Sequence, residues 1–145
     1  KVLGINNGVG GLEGSYEENI KENIANFVVG LDRGLIKAVK FERVDQPYLR
    51  ESRVAQDKSF GVGQLRELYH ANLTLYGNNI LKPGQMIYIE PNRFIFGRPT
   101  EESSVSRVLG LGGYHLVVDV SHAISSEGWE TSVKALHMSM PTIKP

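Results

Sequence analysis

Residues 71–91, ANLTLYGNNILKPGQMIYIEP, constrain the fold more than any other stretch of this chain. Residues 72–76 alternate polar and apolar side chains, and residues 86–90 form a second apolar run that ends at a proline. Two turn signals lie between these runs, at residues 77–79 and 82–84, because glycine and asparagine tolerate positive φ and proline fixes its own φ. The pattern predicts two short strands joined by a compact connection that bends the backbone twice.

An amphipathic helix is predicted over residues 15–29. Ser15 and Glu18 form a capping box, in which the serine oxygen accepts a backbone N–H of the first turn and the glutamate reaches back to the cap N–H. Gly30 is a typical helix stop. Five apolar side chains recur at helical spacing on one face: Tyr16, Ile20, Ile24, Phe27 and Val28. We expect this helix to pack its apolar face on a sheet.

Residues 109–136 predict a second hairpin-like unit, with its turn at residues 125–128. Alternation in the first strand places Tyr114, Leu116, Val118, Val120, His122 and Ile124 on one face, opposite His115, Val117, Asp119 and Ser121. The returning strand places Thr131, Val133, Ala135 and His137 opposite Ser132, Lys134, Leu136 and Met138. The glycines of residues 109–113 suit a bend where the sheet turns a corner.

Weaker patterns fill the remaining segments. Residues 35–44 predict a strand that can be covered on both faces, since lysine stems can lie along apolar surface. Asp45 and Pro47 open a short helix predicted to end near residue 55, and residues 60–63 predict a loop. Residues 93–107 predict a water-exposed loop whose root is anchored by Phe94, Ile95 and Phe96.

Together these elements predict an α+β fold that is mainly antiparallel β, a barrel-like sheet with one packed amphipathic helix. Residues 1–14 hold five glycines and predict a flexible Gly-rich arm. Residues 15–145 are long enough to form a single domain with a core of its own. The start at Lys1, without a methionine, is also what we expect of a fragment of a larger protein.

Composition excludes several classes of function. Sixteen basic residues balance sixteen acidic ones, which argues against a dedicated nucleic-acid binder because phosphate contacts need a surplus of Lys and Arg. The absence of cysteine excludes disulfides, thiolate zinc sites and cysteine nucleophiles. No apolar run approaches the roughly 20 residues of a membrane span, so we predict no membrane-spanning segment.

Candidate catalytic and metal-binding residues are isolated from one another. His115 and Asp119 share a predicted strand face but lie roughly 13 Å apart, too far for one metal ion, and His122 points to the opposite face. Glu101 and Glu102 are adjacent on a polar loop rather than opposed across a cleft. No serine lies in a Gly-x-Ser-x-Gly motif. We therefore predict no enzyme, and no catalytic, cofactor-binding or metal-binding residue.

Aromatic residues on the predicted strands raise the question of a sugar-binding face. Four of them could contribute to one: Tyr76, Tyr88, Tyr114 and Trp129. Aromatic residues in strands more often serve packing, which is the interpretation we favour.

Residues 79–91, NILKPGQMIYIEP, resemble the end of LysM, a small peptidoglycan-binding module that closes with a Pro-Gly-Gln turn, an apolar strand and a proline. This resemblance implies a cell-wall-binding module. LysM opens with a strand and a Gly-Asp-Thr-Leu-like start of a helix, which nothing upstream of residue 79 supplies. We keep LysM as the alternative interpretation.

A second resemblance, to the closing part of phage tail hub proteins, covers about half of the chain, from residue 72 to residue 136. Its evidence is the order of the segments, which are LTLYGN at 73–78, LKPG at 81–84, IYI at 87–89, LGLGGY at 109–114, VVDVSH at 117–122 and TSVKA at 131–135. In that family an apolar strand leads through a Pro-Gly turn to further strands, one of which ends near a Ser/Thr-His pair.

The tail hub resemblance implies a structural virion component. It implies a β-barrel-like domain with a packed helix, built into a ring that joins the tail tube to the tip and leaves a channel for DNA. The expected partners are copies of the chain itself and other tail proteins, with DNA only in passage, in the virion tail after assembly in the host cytoplasm. Residues 1–14 and 93–107 would be natural contact elements.

Overall fold

The computed structural model describes residues 14–29, 35–43, 69–91 and 93–141. Among these residues, six strands form one mixed sheet that curls into half of a barrel. The strands are β1 (Ala25–Val28), β2 (Ile36–Arg43), β3 (Tyr69–Tyr76), β4 (Met86–Glu90), β5 (Gly113–Ser125) and β6 (Gly128–Ser139). Short helices in this part of the chain are α1 (Tyr16–Lys21), α2 (Arg93–Phe96) and α3 (Val105–Leu109). The predicted fold class, an α+β barrel-like sheet, is confirmed.

The strands lie in the order β1-β4-β5-β6-β3-β2 across the sheet. The β1/β4 pair is parallel, and each of the other pairs in this order is antiparallel. The β5–β6 hairpin therefore occupies the centre, with β4 beside β5 and β3 beside β6. The arm predicted over residues 1–14 falls outside the described residues except for Gly14, as do the helix over 45–55 and the loop over 60–63 in full.

The helix predicted over residues 15–29 is only half right. It ends at Lys21, the Ser15 side chain makes no capping hydrogen bond, and Asn23 adopts a positive φ of 57° that interrupts helical backbone. The chain then becomes β1, because pairing with the buried strand β4 satisfies its backbone and buries Phe27. The predicted apolar face splits accordingly: Tyr16 and Ile20 are 66% and 52% exposed.

Strands β3 and β4 are confirmed at the predicted positions, but they do not pair with each other. Both strands of the β5–β6 hairpin lie between them. Each predicted turn is present: Gly84 has a φ of 88°, and the Asn78 side chain accepts the backbone N–H of Ile80. The connection therefore carries the chain across the sheet instead of closing a hairpin.

The β5–β6 hairpin is confirmed, and its returning strand buries the predicted face with Thr131, Val133 and Ala135. The faces predicted for β5 hold only as far as Val117. A bulge between Val117 and Asp119 inserts an extra residue, so the two strand faces exchange beyond it. Asp119 therefore lies on the outer face and not on the core face with His115.

The connector between β4 and β5 is more ordered than the predicted loop. Ser104 caps α3, since its side chain accepts the N–H of Arg107 at 3.2 Å, and Gly110 ends the helix with a φ of 76°. Ser106 and Pro99 are buried. Ile95, predicted to anchor the root, is instead exposed to solvent.

The main core lies on the inner face of the curled sheet. It consists of buried apolar side chains from β1, β3, β4, β5, β6 and the β3–β4 connection: Phe27, Ala71, Leu73, Leu75, Leu81, Ile87, Ile89, Val117, Val133 and Ala135. A second small cluster joins Ile24, Tyr88 and Tyr114. The Tyr114 hydroxyl donates to Asn19 Oδ1 at 2.7 Å and accepts the backbone N–H of Gly14 at 2.9 Å, which ties α1 to β5.

Candidate assembly surfaces

Three of the four histidines lie together: the backbone N–H of His137 donates to His70 Nδ1 at 3.3 Å, and the ring centroids of His115 and His137 are 5.2 Å apart. Within the described ranges, no three His, Asp or Glu side chains come close enough to hold a metal ion. No helix in these ranges combines the length and apolar character needed to cross a membrane. Glu101 and Glu102 lie side by side on the exposed connector. The sheet also has surfaces through which it could meet another chain.

His115 is a core residue. Its ring lies edge-on to His137 with centroids 5.2 Å apart, and its Nδ1 lies 3.1 Å from the carbonyl of Gly113. Burial lowers the pKa of His115 to about 4, although backbone carbonyls of Gly113 and Tyr69 oppose the shift. The ring is neutral at pH 7, so only one of its two nitrogens carries a proton. The favourable tautomer has the proton on Nδ1, which then donates to the Gly113 carbonyl, because the other tautomer would place the Nδ1 lone pair against the carbonyl oxygen.

The four candidate aromatic residues do not share one face. Tyr88 and Tyr114 pack against each other in the second cluster with ring centroids 4.9 Å apart, and burial raises the pKa of Tyr88. Tyr76 and Trp129 are exposed near the far end of the hairpin. A single aromatic sugar-binding face made from all four is therefore wrong, and two remain accessible to a partner.

The β5–β6 hairpin divides into two parts with different surroundings. We call residues 113–117 with 135–139 the hairpin root, and residues 118–134 the hairpin tip. At the root, β5 is flanked by both β4 and β6, whereas β4 pairs with β5 no farther than Leu116, with two more backbone bonds at Val117. Residues 118–125 therefore have β6 as their one neighbouring strand within the described part of the chain.

Backbone direction shows which groups of the β5 tip have no neighbouring strand to bond to in the described part of the chain. The carbonyl of Trp129 accepts the N–H of Gly77, on the β3 side of β6. Alternate residues of a strand point to opposite sides, so the intervening residues of β6 point toward β5 and pair there with Asp119, Ser121 and Ala123. The N–H and C=O groups of Val120, His122 and Ile124 consequently point to the free edge.

Strand β2 ends the strand order on one side of the sheet and the short strand β1 ends it on the other, and each has one side without a neighbouring strand among the described residues. The N–H of Tyr76 donates to the carbonyl of Leu35, so alternate residues of β3 point toward β2 and pair with Ala38, Lys40 and Glu42. The N–H and C=O groups of Val39, Phe41 and Arg43 point away from β3. No strand covers this edge among the described residues.

Side chains at the hairpin tip are exposed, although several of them contact β3 and the residues that follow it. Ile124 is 79% exposed, and Trp129 is 44% exposed with its indole lying directly over the backbone of Gly77. Beneath them, the buried Thr131 hydroxyl donates to the Asn78 carbonyl and lies 3.0 Å from His122 Nδ1. Since the Thr131 proton goes to Asn78, His122 Nδ1 donates to Thr131 in this arrangement.

The two free edges carry opposite charge. Strand β2 bears three basic side chains and one acidic one: Lys37, Lys40, Arg43 and Glu42. Residues 118–127 bear two acidic side chains, Asp119 and Glu127, and no Lys or Arg. Lys37 already pairs with Glu130 at 3.2 Å and lies over the Tyr76 ring, so part of the basic charge is used within the chain.

Exposed apolar side chains also occur on the connector, at the far end of β5. Four lie on α2 and α3: Ile95, Val105, Val108 and Leu109. The 13 residues of β5 separate these side chains from the hairpin tip by roughly 40 Å at the usual rise per residue. The surfaces at the two ends of β5 therefore differ, as do those along the β2 edge and the β5 tip.

Comparison with known proteins adds no family to this geometry, since no family model, curated protein or solved structure matches the chain. The sequence predicted the strands that carry both edges. It did not predict which strands lie at the edges, because alternation of polar and apolar residues indicates the two faces of a strand but not which strands lie beside it. The lysines of β2 could have indicated an edge strand, since charged side chains are common there.

Proposed function

We propose that this chain is a structural subunit of a virion tail, of the tail hub or baseplate type, which assembles with copies of itself into a ring around a DNA channel. The observation that carries the proposal is the pair of dissimilar free edges, on β2 and on the tip of β5. A ring of identical subunits needs heterologous contacts, in which one surface of each copy meets a different surface of the next. Edges that differ in sequence and charge suit such contacts.

The segments that resemble tail hub proteins support the same proposal. They form β3, the turn before β4, β4 itself, the glycine-rich entry to β5, the centre of β5, and β6. These elements are neighbours in one sheet, so the resemblance follows one structural unit and not scattered surface loops. In this proposal the ring joins the tail tube to the tip, its partners are tail proteins, and it works without catalysis.

Association of the purified chain tests the proposal. We expect sedimentation velocity over a wide concentration range to show a discrete oligomer, and particle images to show rings. A monodisperse monomer at high concentration, without rings in the images, would contradict the proposal.

Binding to peptidoglycan separates the proposal from the LysM alternative. The informative variant is Trp129→Ala, because Trp129 is accessible, whereas Tyr88 is buried and its loss would disturb the fold. We expect no retention of the chain on insoluble peptidoglycan. Specific retention that Trp129→Ala abolishes would favour the wall-binding module instead.

A further inference from the structure

The free edges of β2 and of the β5 tip match in direction. Strands β5, β6, β3 and β2 are neighbours in that order, and each adjacent pair is antiparallel, so β2 and β5 run in opposite directions. A rotation about an axis roughly parallel to the strands, which places β2 of one copy beside β5 of the next, keeps this relation. The contact would therefore be an ordinary antiparallel ladder, in which main-chain hydrogen bonds supply the affinity.

The two edges also match in hydrogen-bonding phase. Each offers three residues with outward N–H and C=O groups: Val39, Phe41 and Arg43 on β2, and Val120, His122 and Ile124 on β5. Residues that exchange both bonds in an antiparallel ladder have side chains on the same face. All six lie on the inner face of their own strands, as shown by the packing of Val39, Phe41 and Val120 on the core. When the two edges pair, the inner face of one copy's sheet therefore continues as the inner face of the next copy's sheet.

Edge protection differs between the two edges, and their charges complement each other. Natural edge strands are commonly guarded by lysine, proline or a bulge, and β2 has two lysines and a register shift between Ile36 and Ala38. Beyond its bulge the β5 tip, DVSHAIS, has no lysine, proline or glycine over residues 119–125. Two copies of the β5 tip would bring their acidic side chains together, whereas the basic β2 edge complements them.

We infer that neighbouring copies join by pairing the β2 edge of one with the β5 tip edge of the next, with Val39 opposite Ile124, Phe41 opposite His122 and Arg43 opposite Val120. This register uses all three outward residues of both edges and forms six backbone hydrogen bonds. It rests on the proposed ring, and it specifies which surfaces close that ring.

Cysteine cross-linking tests the register directly, because the native chain has no cysteine. In this register Lys40 lies opposite Ala123 in a non-hydrogen-bonded pair, where the Cα atoms of antiparallel strands are about 4.5 Å apart and a disulfide can form. We expect the double variant Lys40→Cys/Ala123→Cys to give, on mild oxidation, a ladder of disulfide-linked species that ends at the ring size. An equal mixture of the two single variants should give dimers only.

Two further cysteine pairs exclude other arrangements. Ala38→Cys/Ala123→Cys is displaced by two residues and should not cross-link between copies. Ser121→Cys/Ala123→Cys would cross-link if two β5 tips paired with each other about a twofold axis. Cross-linking of either control pair in preference to Lys40→Cys/Ala123→Cys would overturn the inference.

A proline pair provides a second measurement. Ile124→Pro removes an N–H that points to the free edge and leaves the β5–β6 bonds in place, so we expect about a tenfold or greater weakening of association with unchanged circular dichroism. Ser126→Pro is the matched control, because Ser126 lies in the turn, outside the proposed ladder, and is not among the residues with a positive φ. It should associate as the wild type does.

The outcomes separate this inference from the proposed function. Rings that form without the Lys40–Ala123 cross-link, and that tolerate Ile124→Pro, would overturn the edge pairing and leave the ring proposal standing. A chain that stays monomeric in every variant would overturn both.

Discussion

The root and the tip of the β5–β6 hairpin are built from the same two strands, yet they differ in almost every physical respect. At the root, strands on both sides satisfy the backbone, and Tyr114, His115 and Val117 are buried. At the tip, β5 has a single neighbouring strand in the described part of the chain, and Ile124 is largely exposed. The root holds the domain together, whereas the tip leaves hydrogen-bonding groups available to another chain. The bulge after Val117 marks the boundary.

Acid should cause the largest loss of stability, and it should act through the root. The folded pKa of His115 is about 4, below its usual 6.5, so between these values the unfolded chain binds a proton that the folded chain does not. His115 therefore causes no loss of stability above pH 6.5, and its contribution lowers the free energy of unfolding by about 3 kcal/mol as the pH drops to 4. Urea titrations at pH 7 and pH 4 should show this loss in the wild type and a smaller one in His115→Gln.

The matched control for the acid experiment lies at the tip. His122→Gln makes the same substitution at an exposed position, so its denaturation at both pH values controls for the change of side chain away from the core. Equal losses in His115→Gln and the wild type would show that other groups cause the acid sensitivity, since carboxylates titrate identically in both.

Adjacent valines measure the boundary itself. Val117 is 1% exposed and Val118 is 37% exposed, so the same truncation removes buried surface at only one of them. We expect Val117→Ala to lower the free energy of unfolding by about 2 kcal/mol and Val118→Ala by less than about 0.5 kcal/mol. Chemical denaturation measures both. Similar losses would mean that the two parts of the hairpin do not differ as described.

Loss of one root hydroxyl should have a somewhat smaller effect. Tyr114→Phe removes the bond to Asn19 and leaves that buried amide oxygen without the donor, at a cost of about 1.5 kcal/mol. Tyr76→Phe is the control, because Tyr76 is exposed and the change should be close to neutral. If Tyr114→Phe proved neutral in denaturant titrations, the Tyr114 hydroxyl would not be what ties α1 to β5.

The smallest expected effect concerns the tip. A Cβ on Gly77 would lie 2.1 Å from the Trp129 ring, so Gly77→Ala must displace the indole, at a cost of about 1 kcal/mol. Trp129 is the only tryptophan, so its fluorescence reports the displacement without interference. We expect a shifted emission maximum in Gly77→Ala and none in Asn79→Ala. An unchanged spectrum would show that the indole does not rest on Gly77.

Local patterns predicted much of the fold and failed in identifiable places. Alternation and turn residues located β2 to β6, because alternating burial and the positions of glycine and proline can be recognised within a few consecutive residues. Residues 24–28 were assigned to a helix because Ile24, Phe27 and Val28 fit helical spacing as well as a strand, and only pairing with β4 separates the two. The candidate edges were not predicted, since an edge is defined by the absence of a neighbouring strand.

What the amino-acid sequence determined by itself is strands β2 to β6, the turns at residues 77–79, 82–84 and 125–128, and the division of β6 into two faces, because each depends on residues close together in the chain. The tertiary structure decided which face of β6 is buried, that β3 and β4 lie apart, that β5 changes face at its bulge, and that the β2 edge and the β5 tip have no further neighbouring strand among the described residues. These features depend on which strands pair with one another in the sheet. The backbone hydrogen bonds that join paired strands are the same for every residue except proline, so the residue types do not specify the partner.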